Sequence, residues 1–274
     1  MMTIFVTGAT GTVGRHIVDQ LMEKGKEVRA LTRNPDKAGF PIGVEVVKGD
    51  LMAPETFKEA LHGVAAMYLL TSSDQVGNYL ETNAEVVALA EEAGVQKVCL
   101  LTVYGDGEVE QAIKNSTMKW TFVQPVGFMW NAVDNWQEAI RNGKPVRELD
   151  GDVRGAIIHE ADIAAVFVAT LLEEGYHGQL YTLTGPEALS VHDQLDILGK
   201  ALETKIPFET ISLDEAKKRW QEEGYDDESI EFFIQMSTNP PEMGYTVLST
   251  VENITGRPAR TFADWASENH HLFR

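Results

Sequence analysis

The chain has a single cysteine, Cys99, among 274 residues, so no intrachain disulfide can brace it. Cys99 lies in the apolar stretch Val98 to Leu101 and reads as a small core residue, with a reactive thiol as the alternative. Positive charge is scarce as well. Lys and Arg number 23 against 42 Asp and Glu, a formal net charge of -19, which repels a nucleic-acid backbone and predicts no DNA or RNA partner. No apolar run approaches the length of a membrane span, and the N-terminus enters a strand pattern without a signal sequence. A soluble, cytoplasmic protein with no membrane partner is expected. The seven histidines show no H-E-x-x-H or Cys/His spacing, so no metal site is expected. None of the seven tyrosines has a lysine four residues later. That lysine would lower a tyrosine pKa for proton exchange with a carbonyl or alcohol, so alcohol dehydrogenation by that pair is not expected.

What is present is a glycine loop. TGATGTVG, Thr7 to Gly14, follows the apolar run Ile4-Phe5-Val6 and opens a helical pattern with Val13, Ile17 and Leu21 on one face. Gly8, Gly11 and Gly14 suit a tight turn, backbone approach to a pyrophosphate and close helix-sheet packing, in that order. The helix N-terminus then faces the anion. The second strand, Glu27 to Thr32, ends in Arg33-Asn34-Pro35, with Lys37 one short turn on. An acidic residue there would hold ribose hydroxyls, and an arginine accommodates a 2'-phosphate. Arg33 and Lys37 therefore predict NADPH over NADH, the alternative being ordinary surface cations.

Further on, Gly43 to Val47 reads as a third strand closed by Gly49-Asp50-Leu51, Thr56 to His62 as a short helix, and Val64 to Leu70 as a buried strand. That strand ends at Thr71-Ser72-Ser73, where open parallel sheets place ligands. A helix is predicted from about Val76 to Ala93, with Asn83 beside its inward face, serving either a cofactor ribose or a neighbouring backbone group. Strands Lys97 to Thr102 and Trp120 to Gln124 flank a helix from Val109 to Asn115. Six strands alternating with helices define an α/β fold, a Rossmann-type doubly wound parallel sheet.

The later half changes character. Asn131 to Arg141 is helical, Lys144 to Ile158 holds two short strands around Asp150-Gly151, Asp162 to Leu172 is an apolar helix, and Gln179 to Thr184 a strand. Ser190, Ser212 and Ser249 each open a capping-box pattern. The expected organisation is a nucleotide-binding domain over 1–130 and a smaller α+β lobe over 131–274, a substrate or partner lobe packed on it, whose segments can return to the sheet. Phe128, Met129, Trp130 and Trp136 either wall a site for a flat aromatic substrate or pack the lobe. His159 offers either a proton donor or a structural imidazole.

The glycine loop, Arg33, GDL at 49–51, YLLTS at 68–72, WTFVQPVGFMWN at 120–131, HEADIAAVFVATL at 159–171, YTLTGPEALS at 181–190 and TGRPARTF at 255–262 together resemble the NmrA-like group of atypical short-chain dehydrogenases. Within it the style is that of bacterial NAD(P)H:quinone and triphenylmethane reductases. The resemblance covers nearly the whole chain. It implies a Rossmann domain that binds NADPH, with Gly8, Thr10, Gly11, Thr12, Val13 and Gly14 at the pyrophosphate and Arg33 at the 2'-phosphate. It also implies Asp50 and Leu51 by the adenine, Thr71 and Ser72 along the nicotinamide side, and Pro125 and Phe128 near the nicotinamide ring. Tyr104, at the strand where the superfamily keeps its acid-base tyrosine, is followed by Glu108 rather than lysine. The expected activity is hydride transfer to a flat electron-poor small molecule, a quinone or dye, with Thr102, Tyr104 or water giving the proton. The alternatives are a non-catalytic NADP(H) redox sensor acting on a protein partner and a biosynthetic imine or enone reductase. A monomer or homodimer is expected.

Overall fold

The computed structural model describes residues 2–73, 80–103 and 105–274. Seven strands form the main sheet: β1 (Thr3–Val6), β2 (Glu27–Thr32), β3 (Glu45–Lys48), β4 (Val64–Leu70), β5 (Lys97–Leu101), β6 (Lys119–Pro125) and β7 (Gln179–Leu183). Their spatial order is β7-β6-β5-β4-β1-β2-β3. From β6 across to β3 the neighbours are parallel, with Phe5 of β1 opposite Arg29 on one side and Met67 on the other. At β7, Gly178 N–H donates to Trp120 O (2.8 Å) and Val126 N–H to Leu183 O (3.1 Å), so both indices rise together and this pair is parallel too. The fold is the doubly wound Rossmann type.

Ile4, Phe5 and Val6 are all buried, as are Ala66 to Leu70 and Val98 to Leu100. Central parallel strands covered on both faces need apolar residues at every position rather than at alternate ones. β3, at the sheet edge, exposes Glu45, Val46 and Lys48, a short and charged edge that disfavours pairing with another chain. It starts two residues later than expected because Gly43 holds φ +104°, outside the strand region.

Helix α1 (Thr12–Glu23) buries Val13, Gly14, Ile17, Val18 and Leu21. Helix α5 (Glu160–Leu172) packs beside it, with Gln20 Nε2 donating to Ala161 O at 2.9 Å. Ten of its thirteen residues are buried, which is why its sequence is apolar all round. The Lys97 ammonium donates to Glu173 O (2.6 Å) and Thr170 O (3.4 Å), closing the C-terminal carbonyls of α5 with a cation.

By its internal contacts the chain forms two compact units, one of residues 1–125 and 160–182, the other of 126–159 and 183–274. The chain that leaves the sheet at Pro125 therefore re-enters it through α5 and β7.

Several elements differ locally from expectation. Of the helix expected from Val76 to Ala93, residues 74–79 lie outside the described residues, and α2 spans Glu85–Glu92, while α3 (Glu108–Asn115) begins one residue before the expected Val109. Leu80–Glu81 instead pairs antiparallel with Ser72–Ser73. Thr82 N–H donates to Thr71 O (2.9 Å), which holds the chain extended, and Asn83 Oδ1 then accepts from Glu85 N–H (2.9 Å) to start the helix. The expected helix from Thr56 to His62 resolves into two 3-10 turns, Pro54–Thr56 and Lys58–Leu61, with Phe57 at φ -134° between them.

In the second unit, α4 (Asn131–Arg141), α6 (Val191–Ala201) and α10 (Phe262–Asn269) enclose a core of Met129, Val133, Trp136, Leu195, Leu198 and Trp265. The hairpin of α7 (Leu213–Glu223) and α8 (Asp227–Thr238) has its own small core, which includes Ala216, Trp220 and Ile230. Val146–Glu148 pairs with Phe208–Thr210 and Arg154–Gly155 with Leu189–Ser190, so the two short strands around Asp150-Gly151 each pair elsewhere. Ser190 and Ser212 form reciprocal boxes with Asp193 and Glu215. α9 (Thr250–Thr255) does begin after Ser249, but with ψ 15° that residue makes no side-chain cap. A box that the sequence reading missed joins Thr261 to Asp264 on α10.

Candidate cofactor site

The glycine loop occupies the turn from the carboxyl end of β1 into α1. Thr7 anchors its entry, its backbone N–H and its hydroxyl both donating to Tyr68 O, at 3.2 and 3.0 Å. Gly8 turns at φ +51°, a left-handed conformation that glycine tolerates best. Gly11 caps α1 with extended backbone and its N–H donates to Gly8 O (2.9 Å). No side chain caps α1, and its first turn carries no acidic residue. The first-turn amides are thus left to a ligand, at the positive end of a twelve-residue helix. Gly14 is packed hard, for a Cβ there would lie 2.2 Å from Gly8 O. A Cβ on Gly11 would approach only that same oxygen, at 3.2 Å. Space beside Gly11 with uncapped amides behind it suits a diphosphate.

Arg33 and Lys37 are both exposed beyond the end of β2. Asn34 N–H donates to Thr32 Oγ1 (3.1 Å) and a 3-10 turn over Pro35–Lys37 follows. A third cation joins this stretch that the sequence reading did not single out. Arg15, in the first turn of α1, donates to Ala38 O (3.1 Å) and lies over the Phe40 ring. Its only signal was its place directly after the last glycine of the motif.

Asp50 is engaged in its own turn, Oδ1 accepting from Met52 N–H (3.0 Å) and its N–H donating to Thr56 Oγ1 (3.1 Å). Leu51 is buried and its carbonyl accepts from Asn83 N–H (2.9 Å). Thr71 N–H donates to Leu101 O (3.2 Å), which places Thr71 at the carboxyl edge of the sheet, in the same unit as the glycine loop. The carboxamide oxygen of Asn83, as described above, accepts from the Glu85 N–H ahead of α2. The Ser72 side chain and all of Tyr104 lie outside the described residues. Thr102 is buried, its hydroxyl donating to the carboxylate of buried Glu110, whose other oxygen accepts from Gly107 N–H (3.1 Å). Burial pushes the Cys99 thiol up to about 11, against weaker opposing effects from Thr170, Lys97 and Thr121. It remains protonated at neutral pH and offers no nucleophile.

Pro125 ends β6 and is half-buried. The aromatic stretch that follows, in the second unit, divides in two. Met129, just before α4, and Trp136, on the buried face of α4 with Ala132 and Val133, are core residues, and Trp136 donates its indole N–H to Glu148 Oε1 (2.9 Å). Phe128 and Trp130 are half-buried and keep exposed surface, Trp130 packing its other side against that core. Ile158 clamps the Phe128 backbone: Ile158 N–H donates to Gly127 O (2.7 Å) and Met129 N–H to Ile158 O (3.0 Å). The buried His159 ring, next in sequence, places Nε2 3.2 Å from Glu268 Oε2. Among the described residues no group of acidic, His and Cys side chains could hold a metal ion, and no helix is long and apolar enough to cross a membrane.

A family model described as NAD(P)H-binding matches residues 8–109, the part of the sheet that carries the glycine loop and Arg33. The chain is 35% identical to a (4-alkanoyl-5-oxo-2,5-dihydrofuran-3-yl)methyl phosphate reductase of Streptomyces griseus, over 98% of this chain and 99% of that protein. It is 33% identical to an NAD(P)H azoreductase of Xenophilus azovorans, with the same coverage. Its fold matches a crystal structure of an NADPH-dependent quinone oxidoreductase from Escherichia coli complexed with NADPH, at TM-score 0.79, 24% identity and full coverage of both chains. With the glycine loop, an uncapped α1 and relatives similar over their whole length, the chain belongs to the NmrA-like family of atypical short-chain dehydrogenases/reductases, a family of NAD(P)H-binding oxidoreductases.

Proposed function

We propose that this protein is an NADPH-dependent reductase that delivers hydride directly to a flat, electron-poor acceptor such as a quinone or a dye. The observation that carries this reading is the uncapped N-terminus of α1 beside a glycine that leaves room for a diphosphate. The backbone from Gly8 to Gly14, with Thr10, Thr12 and Val13, would hold that diphosphate, and Arg33 and Lys37, with Arg15 beside them, would hold a 2'-phosphate. When bound, the dihydronicotinamide supplies the hydride. The chain's own part would be alignment and exclusion of water: in the first unit Thr71 and Pro125 would serve the nicotinamide, and in the second unit Phe128 and Trp130 would offer aromatic surface to a flat acceptor. Because the Thr102 hydroxyl is committed to Glu110, the proton that completes reduction comes from water or Tyr104. A quinone or cationic dye takes hydride without strong acid assistance, which suits a chain with no Tyr-x-x-x-Lys pair. The dihydrofuranone in the name of the Streptomyces relative favours a second reading, in which the acceptor is an enone-type small molecule.

The test is to mix the purified protein with NADPH and a panel of quinones, dyes and enones while following absorbance of the reduced cofactor. Oxidation with at least one acceptor is expected. No oxidation across the panel, together with unequal affinities for NADPH and NADP+, would identify a redox sensor, since a ligand shifts an equilibrium only through differential binding.

Two sets of substitutions refine this reading. Arg33→Ala should erase most of the preference for NADPH over NADH, because a charge-assisted pair with a phosphate contributes about 1.5 to 3 kcal/mol. Calorimetric titration checks it, and equal affinities in the unmutated protein would refute the 2'-phosphate assignment. Phe128→Ala or Trp130→Ala should slow turnover more than Tyr104→Phe. A tyrosine acting as general acid would instead cost on the order of a hundredfold on removal, so a loss of that size in Tyr104→Phe would return the proton-donor role to Tyr104.

A further inference from the structure

The segment that carries Phe128 is bonded on both sides of that residue to a strip of chain that ends at His159. From Arg154 to His159, almost every residue is tied to a different part of the second unit. Arg154–Gly155 pairs with Leu189–Ser190. Ala156 donates its N–H to Gly244 O (2.8 Å) and accepts at its carbonyl from Gly185 N–H (2.9 Å). Gly185 comes so close that a Cβ would stand 2.0 Å from Ile157 O. Ile158 uses both its N–H and its carbonyl on the backbone flanking Phe128. His159 ends the strip, its ring buried and its Nε2 bonded to the carboxylate of Glu268 on α10, while the Glu268 side chain is 57% exposed. A carboxylate facing Nε2 selects the tautomer that carries its proton there, so the imidazole donates and the ring is held at a fixed angle.

We infer that His159 and Glu268 form a positioning pair for the acceptor: Glu268 fixes His159, His159 fixes Ile158, and Ile158 sets the backbone on which Phe128 meets the acceptor. This rests on the reading that Phe128 faces the acceptor. It gives His159 a role other than proton donation, since its Nε2 proton is directed at Glu268. A pair that only stabilised the fold would lower the melting temperature and weaken every ligand together. A positioning pair acts on the acceptor rather than on the cofactor, since His159 and Glu268 belong to the second unit with Phe128 and the glycine loop belongs to the first.

Glu268 is the residue to change, since its exposed side chain can be removed without opening a cavity. Glu268→Ala should raise KM for 2-methyl-1,4-naphthoquinone roughly tenfold, change kcat less than threefold and leave NADPH affinity within twofold. Glu268→Gln keeps an oxygen that can accept from the imidazole and should recover most of the loss. A folded Glu268→Ala protein with unchanged KM for the quinone overturns the positioning role, as does a parallel loss of quinone and NADPH affinity. An unmutated protein that neither binds nor reduces the quinone, or any other acceptor of the panel, overturns the parent reading, and this inference with it.

Discussion

Gly14→Ala is expected to lower the stability of the protein by about 3 kcal/mol or more, beyond what adding one methyl usually costs. The Cβ would lie 2.2 Å from Gly8 O, 2.8 Å from Gly8 C and 2.9 Å from Ala9 Cα, all of them backbone atoms. Added atoms in a packed interior typically cost 1–3 kcal/mol when side chains can give way. Here no side chain is available to move, so α1 must lift from the loop below it. That displaces Ile17, Val18 and Leu21, all fully buried. At roughly 2–4 °C per kcal/mol for a chain of this size, the melting temperature should fall by about 6–12 °C. NADPH should no longer raise it, because the amides that receive the diphosphate move with the helix. Calorimetry would show an unchanged midpoint if the 2.2 Å approach were wrong.

Gly11→Val should do the reverse, sparing the fold and removing the ligand. Gly11 sits at φ -76°, ψ 175°, a conformation open to any residue, and its Cβ would meet only Gly8 O, at 3.2 Å. The carbonyl has to yield a few tenths of an ångström, so the melting temperature without ligand should fall by only a few degrees. A branched side chain would, however, stand at the mouth of the uncapped amides, where a diphosphate would have to approach. NADPH affinity should drop at least a hundredfold, about 2.8 kcal/mol. Titration calorimetry on the folded variant decides it, and an affinity within threefold of the unmutated protein would remove Gly11 from the phosphate approach. The pair of variants separates two jobs that one motif combines: Gly14 lets helix and loop pack, and Gly11 keeps the space beside the helix end open.

The fold class and the place of the glycine loop were legible in the residues themselves because both rest on local patterns. Apolar runs that do not alternate specify buried parallel strands, and a glycine triplet between strand and helix specifies a turn with free amides. The boundaries of α4, Asn131 to Arg141, could be read from its periodicity for the same reason. Long-range pairing had no such signal. Nothing near α5 or β7 in sequence reveals that Glu160 to Thr182 joins the first unit, because an apolar helix suits any interior. The partners of Val146–Glu148 and Arg154–Gly155 lie more than thirty residues away, beyond any turn chemistry. The aromatic stretch shows the same limit at single residues. Phe128, Met129, Trp130 and Trp136 look alike as a string, and only the core of the second unit, to which α4, α6 and α10 all contribute, buries Met129 and Trp136 while Phe128 and Trp130 keep exposed surface. The engagement of Thr102 by Glu110 and of His159 by Glu268 was likewise decided by tertiary structure, since a hydrogen bond between side chains 8 or 109 residues apart depends on where the backbone brings them.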